Sequence, residues 1–427
     1  MDSQETVIHI VRVSVLSCDS SRVANALRKG PQARTCSRAR AGSIEHGEEL
    51  DPMRVMLKLA IGLVALTNAQ TTLQAADAPM GLQEYLRSEM RELQIPGMQV
   101  AVVQHQKIVL LAALGFADIE NQLPVTDATV FPIASATKAF TGVALMQLVE
   151  SGKLELTAPI SRYLDALPAS WRTVTTRQLA THISGLPNFV NNDTGQLITG
   201  VGIACADEAD WDAAWKRVQT MPIEFAAGRR YSYNQTNYVL LGKVIDKLSG
   251  QPFTQFIKEH QLDLVGMPGT VFGDSSTVVP NRARGYSNIQ FNKNGQMERV
   301  AKLSEPYGRF APFLLTAAGL NSNAQDLARW ITALQQERLL KEKASLTALW
   351  TPSTLNDGKK GTWGLGWPIF ARQKHTSYVA LGGAMAAFAV YPEDDVAVVI
   401  LTNLQGSMPE RFIDRVAAYY IPGLRSE

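Results

Sequence analysis

Strand-like runs sit at both ends of this chain and a helical stretch lies between them. That order constrains the fold more than any other feature. Near the start, residues 98–103 and 108–116 are apolar runs joined by His105-Gln106-Lys107, the pattern of a hairpin. Near the end, residues 363–370, 378–391 and 396–402 read as consecutive strands, with Glu393-Asp394-Asp395 as a turn. Residues 175–249 look mostly helical, broken by a polar loop at 187–210. One antiparallel sheet built from both ends, with a mainly helical insertion, is the simplest arrangement: an α+β fold. Its α/β part takes about 81–150 and 315–423, and its helical part about 151–314. Residues 81–93 and 409–420 read as helices that flank the sheet. A further helix is expected over 135–150, with Phe140, Ala144, Leu145, Leu148 and Val149 as its apolar stripe.

Residues 53–69 follow a different plan. Arg54 and Lys58 precede an apolar run from Leu59 to Leu66, and Thr67-Asn68-Ala69 closes it. This is the layout of a secretory signal peptide, cleaved after Ala69 or shortly beyond, after Ala75 or Ala76. The run falls short of the roughly 20 apolar residues that span a bilayer. A signal peptide opens a chain, so Met53 is the expected start. Residues 1–52, rich in Arg and Ser, then read as an upstream extension or a disordered tail. The expectation is an exported protein, periplasmic or secreted, with no stable membrane anchor after cleavage. Residues 70–427 form its catalytic part and keep Cys205 alone, so no disulfide framework is available.

Composition excludes several classes. With 46% apolar and 19% charged residues, the chain is neither mainly disordered nor a polytopic membrane protein. A formal net charge of +2 leaves no electrostatic footprint for nucleic acid. The histidines at 105, 182, 260 and 375 fall in no H-E-x-x-H pattern, and no nucleotide-binding glycine motif occurs. No metal and no cofactor is expected. No G-x-S-x-G elbow announces an α/β-hydrolase.

Ser135-Ala136-Thr137-Lys138 opens the expected helix at 135–150. Spacing i, i+3 puts the hydroxyl and the amine on one face, roughly 5–6 Å apart at Cβ. A serine hydroxyl becomes a useful nucleophile when a neighbouring amine takes its proton. The free N–H groups and positive dipole end of a helix N-terminus suit a developing oxyanion and lower the lysine pKa.

The segment from Phe131 to Lys138 resembles the nucleophile region of the serine β-lactamase and penicillin-binding superfamily. Its likeness is greatest to class C β-lactamases and the β-lactamase-like family VIII esterases. Further stretches match in order. Leu179-Ala180-Thr181-His182-Ile183-Ser184-Gly185-Leu186-Pro187 resembles the branch's L-x-T-H-x-S-G-L-P. Tyr231-Ser232-Tyr233-Asn234-Gln235-Thr236-Asn237-Tyr238 resembles its tyrosine motif. Leu264-Val265-Gly266-Met267 resembles the PLGM turn. Ala318-Gly319-Leu320-Asn321-Ser322, with Asp326-Leu327-Ala328, resembles A-G-L-x-S-x-x-x-D-L-A. The resemblance spans about 81–423.

It implies Ser135 as the acylated nucleophile, Lys138 as its base and Tyr233 as a second proton-transfer group. Tyr231 and Tyr238 compete for that last place, and the register of Thr236-Asn237-Tyr238 selects Tyr233. A cationic lysine beside Tyr233 would lower the phenol's pKa. Gln235 stands where the family has Asn and could hold Lys138 or a substrate carbonyl. The family's Lys-Thr-Gly or His-x-Gly strand corresponds to Val379-Ala380-Leu381-Gly382-Gly383-Ala384, with Leu381 at the cation's place. Losing that charge-assisted contact should weaken recognition of an anionic substrate by about 1.5–3 kcal/mol. Gly382 and Gly383 still permit close backbone approach. By family analogy the Ser135 and Ala384 N–H groups form the oxyanion hole.

The function expected is hydrolysis of small carboxylic esters through a Ser135 acyl-enzyme. The alternatives are a β-lactamase or D-alanyl peptidase, and a penicillin-binding-like protein that barely turns over. His375 is a possible substitute cation, though a polar turn fits it better. His182 is expected to brace a loop. Trp363, Trp367, Phe370, Phe313 and the 187–215 loop with Trp211 are candidates for an acyl or alcohol pocket, with the core as the competing place for each.

Overall fold

The hairpin expected near the start forms: β1 (Gly97–Gln104) and β2 (Lys107–Asp118) pair antiparallel. His105 and Gln106 make its turn with φ of 50° and 58°, the left-handed pair that suits a tight hairpin. The computed structural model describes residues 79–192, 196–201, 206–274, 277–291, 297–304, 314–372 and 375–424. Residues 1–52 and the signal-like stretch 53–69 lie outside them.

β3 (Leu123–Pro124) extends the hairpin, and β4 (Ile369–Arg372), β5 (His375–Gly382), β6 (Ala386–Tyr391) and β7 (Val396–Thr402) come from the far end of the chain. The seven strands run in the order β4-β5-β6-β7-β1-β2-β3. β1 and β7 join the two halves, with Val100 opposite Ile400 and Val102 opposite Val398. The sheet is therefore built from both ends, as the α+β reading requires.

Five helices position the rest: α1 (Leu82–Leu93), α2 (Thr137–Glu150), α3 (Gln235–Ser249), α4 (Ala324–Gln335) and α5 (Ile413–Ala417). Side chains alternate across a strand, so the sheet feeds two cores. Ala101, Val103, Phe388 and Val399 pack with α2 and α4. Val100, Val102, Val398 and Ile400 pack with Leu82 and Leu86 of α1 and with Val416 of α5. No described helix is long and apolar enough to cross a membrane.

Several elements differ from the expected ones. α2 has no apolar stripe, because every side chain from Thr137 to Met146 is buried. Other segments cover its outer side: Phe140 stacks on Trp330 at 4.1 Å, and a Cβ on Gly142 would stand 1.9 Å from the Leu365 carbonyl oxygen. Ser135 precedes the helix, in a 3-10 turn at Ala134–Ala136. Residues 363–368 are a turn, bridged by Trp363 and Pro368. Gly366, at φ 88°, breaks the strand there. Residues 378–391 are two strands rather than one, because Gly383 and Ala384 are both left-handed and reverse the chain. The closing helix shrinks to a 3-10 turn at Pro409–Arg411 followed by α5. The middle of the chain also carries a hairpin, Tyr286–Phe291 with Met297–Ser304, which gains a third strand from Leu404–Gln405. That long-range parallel pairing leaves no local signal.

Candidate active site

Ser135, Lys138 and Tyr233 converge. Lys138 Nζ lies 3.2 Å from Ser135 Oγ, and the Tyr233 hydroxyl donates to the same oxygen at 2.9 Å. Ser135 in the 3-10 turn and Lys138 in the first turn of α2 are three residues apart, a spacing that brings their side chains together. Ala134, just before the serine, sits at φ 44°. A left-handed alanine costs on the order of 1 kcal/mol, so neighbouring contacts hold this turn in place.

Lys138 is wholly buried. Its Nζ donates to the Ala317 carbonyl at 2.8 Å and lies 5.0 Å from the ring centroids of both Tyr233 and Tyr238. Burial pushes its pKa well below the usual 10.5. Desolvation is the cause, in place of the helix dipole that the sequence suggested. Tyr233 moves the opposite way to expectation. Its pKa is pushed up to about 12 by burial, against a smaller opposing pull from its hydrogen bond to Ser135. Burial disfavours the charged form of both groups, so the phenol keeps its proton.

Tyr233 is held by the loop that carries the Thr-His-x-Ser-Gly-Leu-Pro stretch. His182, fully buried at φ 58°, accepts the Asn234 N–H on Nδ1 at 3.1 Å. Its carbonyl accepts the Ser232 N–H at 2.8 Å. Asn234 donates its amide to the Leu186 carbonyl, and Thr236 donates to that of Pro187. Asn192 donates to the Tyr233 carbonyl at 2.6 Å. Burial, followed by the neighbouring Lys138, lowers the His182 pKa well below 6.5. His182 therefore stays neutral and carries its proton on Nε2. It braces the tyrosine and does not reach Ser135 by any hydrogen bond among the described residues.

The β5–β6 turn lies against the serine turn. A Cβ on Gly382 would stand 1.7 Å from the Ile133 carbonyl oxygen and 3.1 Å from the Ala136 nitrogen. A Cβ on Gly383 would meet that of Ala134 at 3.1 Å. Only glycine at 382 lets the two turns touch. Among the described residues neither the Ser135 N–H nor the Ala384 N–H has a hydrogen-bond acceptor. Leu381 is buried in the cluster with Val379, Ala387 and Ala389, which holds no residue of α2. Gln235 takes the first position of α3, its N–H bonded to Asn188 Oδ1 at 3.1 Å. Its Oε1 is buried with no partner among the described residues.

Other sequence candidates fall elsewhere. His375 pairs with Asp394 at 2.9 Å, at the other end of β5 from Gly382, roughly 23 Å of strand away. Trp211 and Trp367 are core residues, 1% and 0% exposed. Phe370 packs against the α1–α5 core. Trp363 alone of these aromatics reaches the site, edge-on to His182 at 4.9 Å and 5.6 Å from the Tyr233 ring. Phe313 and Cys205 lie outside the described residues. No cluster of His, Cys, Asp and Glu that could hold a metal occurs among the described residues. Ala317, the carbonyl partner of Lys138, went unread in the sequence because a backbone acceptor carries no residue-type signal.

The Beta-lactamase family profile matches residues 82–420. Protein flp of Staphylococcus aureus (strain MW2) is 22% identical over 349 residues, 80% of this chain and 66% of that protein. The chain thus spans just under two thirds of that relative's length. The putative penicillin-binding protein PbpX of Bacillus subtilis (strain 168) is 26% identical over 306 residues, 72% of this chain and 70% of its own. Among solved structures, the octameric penicillin-binding protein homologue from Pyrococcus abyssi superposes with a TM-score of 0.62 at 25% identity, covering 79% of this chain and 76% of that one. D-amino acid amidase from Ochrobactrum anthropi SV3 superposes with a TM-score of 0.64 at 22% identity, covering 79% and 97%, and shares the fold. The chain belongs to the Beta-lactamase family.

Proposed function

We propose that this chain is an exported hydrolase of small carboxylic esters that works through an acyl-enzyme on Ser135. The observation that carries the reading is the buried, charge-poor Lys138 amine within 3.2 Å of Ser135 Oγ. Lys138 takes the hydroxyl proton as Oγ attacks the ester carbonyl carbon. The resulting oxyanion is met by the Ser135 and Ala384 N–H groups. Collapse breaks the bond to the alcohol, whose oxygen takes a proton from the Tyr233 hydroxyl. The proton held on Lys138 then passes to the Tyr233 phenolate and restores the phenol. Water then attacks the acyl carbon, Ser135 leaves with a proton, and the acid is released. A phenol with a pKa near 12 begins this cycle as a donor, which divides the labour: lysine accepts, tyrosine gives.

Neutral esters are favoured because Ser377 to Ala384, the end of β5 and the turn beside the serine, carry no charged side chain. An anionic β-lactam or a peptide C-terminus finds no ammonium or imidazolium there. Likeness to penicillin-binding relatives supports the second reading, hydrolysis of β-lactam or D-amino-acid amide bonds. A third reading is acylation without turnover. Export is supported by the signal-like pattern at 53–69.

A p-nitrophenyl acyl ester series and a chromogenic cephalosporin separate these readings when initial rates and intact mass are followed together. Fast turnover of short esters with little cephalosporin cleavage is expected. Efficient cephalosporin hydrolysis would favour the β-lactamase reading, and a lasting adduct on Ser135 the non-turnover reading.

A further inference from the structure

Three residues with left-handed backbones, none of them glycine, converge on the oxyanion side of the site. Ala134 has φ 44°, Ala384 φ 54° and Met408 φ 53°. Such outliers persist only where surrounding contacts over-determine them. Those contacts come from the end of β7 and the segment that follows it. The Met408 N–H donates to the Ala384 carbonyl at 3.0 Å, and the Ser407 hydroxyl reaches the same oxygen at 3.1 Å. Thr402 Oγ1 lies 2.7 Å from Ser407 Oγ and 3.1 Å from the Met385 carbonyl. The Thr402 N–H also donates to Met385 O at 2.9 Å. Thr402 and Ser407 are 0% and 1% exposed, so water does not compete for these bonds. The Thr402 hydroxyl also lies 3.4 Å from the Leu404 carbonyl, so the two hydroxyls share their protons among the carbonyls of Ala384, Met385 and Leu404.

We infer that the Thr402–Ser407 hydroxyl pair is a positioning device for the oxyanion site, aiming the Ala384 N–H without touching substrate. The Ala384 N–H and C=O flank one Cα. Holding the carbonyl of a residue whose φ is already strained fixes the direction of its N–H. Released, Ala384 relaxes toward an ordinary conformation and its N–H swings off line. This rests on the acyl-enzyme reading of Ser135. It adds two positioning residues that no catalytic motif of the chain contains.

The test uses Ser407→Ala, Ser407→Cys and Ser407→Thr in the full chain, with phenylboronic acid as probe. Boron takes the Ser135 oxygen, the hydroxyl proton passes to Lys138, and the tetrahedral adduct places a negative oxygen in the oxyanion site. Losing an oxyanion donor outright costs about 10²–10³ in rate, so a misaimed one should cost about tenfold. Ser407→Ala is expected to lose that factor both in boronate affinity and in kcat for a p-nitrophenyl ester. KM should stay within about twofold, the signature of an interaction made in the transition state. Ser407→Thr, which keeps the hydroxyl, should restore both. Should Ser407→Ala not fold, Ser407→Cys, of similar shape and a weak donor, carries the same expectation. Wild-type boronate affinity and kcat in a folded Ser407→Ala or Ser407→Cys variant would overturn the inference while leaving Ser135 in place. A wild-type protein that neither binds the boronate nor turns over ester would instead overturn the acyl-enzyme reading, and this inference with it.

Discussion

Tyr233 donates its phenolic hydroxyl to Ser135 Oγ at 2.9 Å, although 98 residues of chain separate the two. The contact exists because the segment 231–238 is stitched, bond by bond, to the loop at 181–189. Burial keeps the phenol protonated, so what meets the serine is a donor. Tyr233→Phe keeps the ring and removes that donor. It should lower kcat by about 10²–10⁴-fold, the usual range for a lost proton-transfer group. Stability should fall by only about 1 kcal/mol, the worth of one hydrogen bond. Parallel steady-state kinetics and thermal melts check both figures.

If Lys138 is the base, it should give the activity an acid limb. The amine accepts a proton only when neutral, so kcat should fall as pH drops through its lowered pKa. Tyr233 holds its proton to about 12, so no alkaline fall is expected near 10.0, where an ordinary tyrosine titrates. Lys138→Arg, charged throughout, should lose about 10²–10⁴-fold in kcat. A full pH–rate profile of wild type and variant reads this directly.

The same shift bears on stability. The folded state disfavours the charged lysine, so between the lowered value and the ordinary 10.5 the unfolded chain binds more protons. Stability then rises with pH across that window. Lys138→Met removes the group and should flatten that rise. Melting temperatures of both proteins between neutral pH and pH 10 check the sign, and identical slopes would contradict the burial account.

Gly382→Ala should damage fold and site together. Its Cβ would stand 1.7 Å from the Ile133 carbonyl oxygen, and the rigid neighbour there is backbone. Overpacking of this kind costs about 1–3 kcal/mol and pushes the serine turn away from the β5–β6 turn. Ester kcat should fall alongside the melting temperature.

Leu381→Lys tests a simple reading of the third motif. The sequence places Leu381 where relatives carry a cation, which invites the idea that a lysine would restore anion recognition. The side chain instead joins the apolar cluster of Val379 and Ala389. A lysine there would be an unpaired buried charge, costing on the order of 3 kcal/mol. The expected outcome is a lower melting temperature with no gain in cephalosporin cleavage.

The sequence carried the large features because they are periodic or local. Continuous apolar runs located β1, β2 and β7, and turn chemistry placed His105-Gln106 and Asp395. Ser135 and Lys138 were legible as a spacing, and Tyr233 through its flanking Thr236-Asn237-Tyr238. What it hid was decided by tertiary packing. α2 has no polar face to reveal that it is central. Residues 378–391 look like one strand because Ala384, which reverses the chain, is ordinarily a poor turn residue. The direction of the Tyr233 shift depends on burial, which outweighs the hydrogen bonds to Ser135 and Gln235. Ser407 and Thr402 act on backbone carbonyls across the fold, and no motif marks such contacts.

The most direct test of the central claim is rapid-quench intact-mass spectrometry of wild type and Ser135→Ala with p-nitrophenyl butyrate. The account predicts a transient butyryl adduct on the peptide containing Ser135, formed and lost at rates consistent with turnover. It also predicts a folded Ser135→Ala protein with neither adduct nor hydrolysis. Undiminished hydrolysis by Ser135→Ala, or an adduct on another residue, would contradict it.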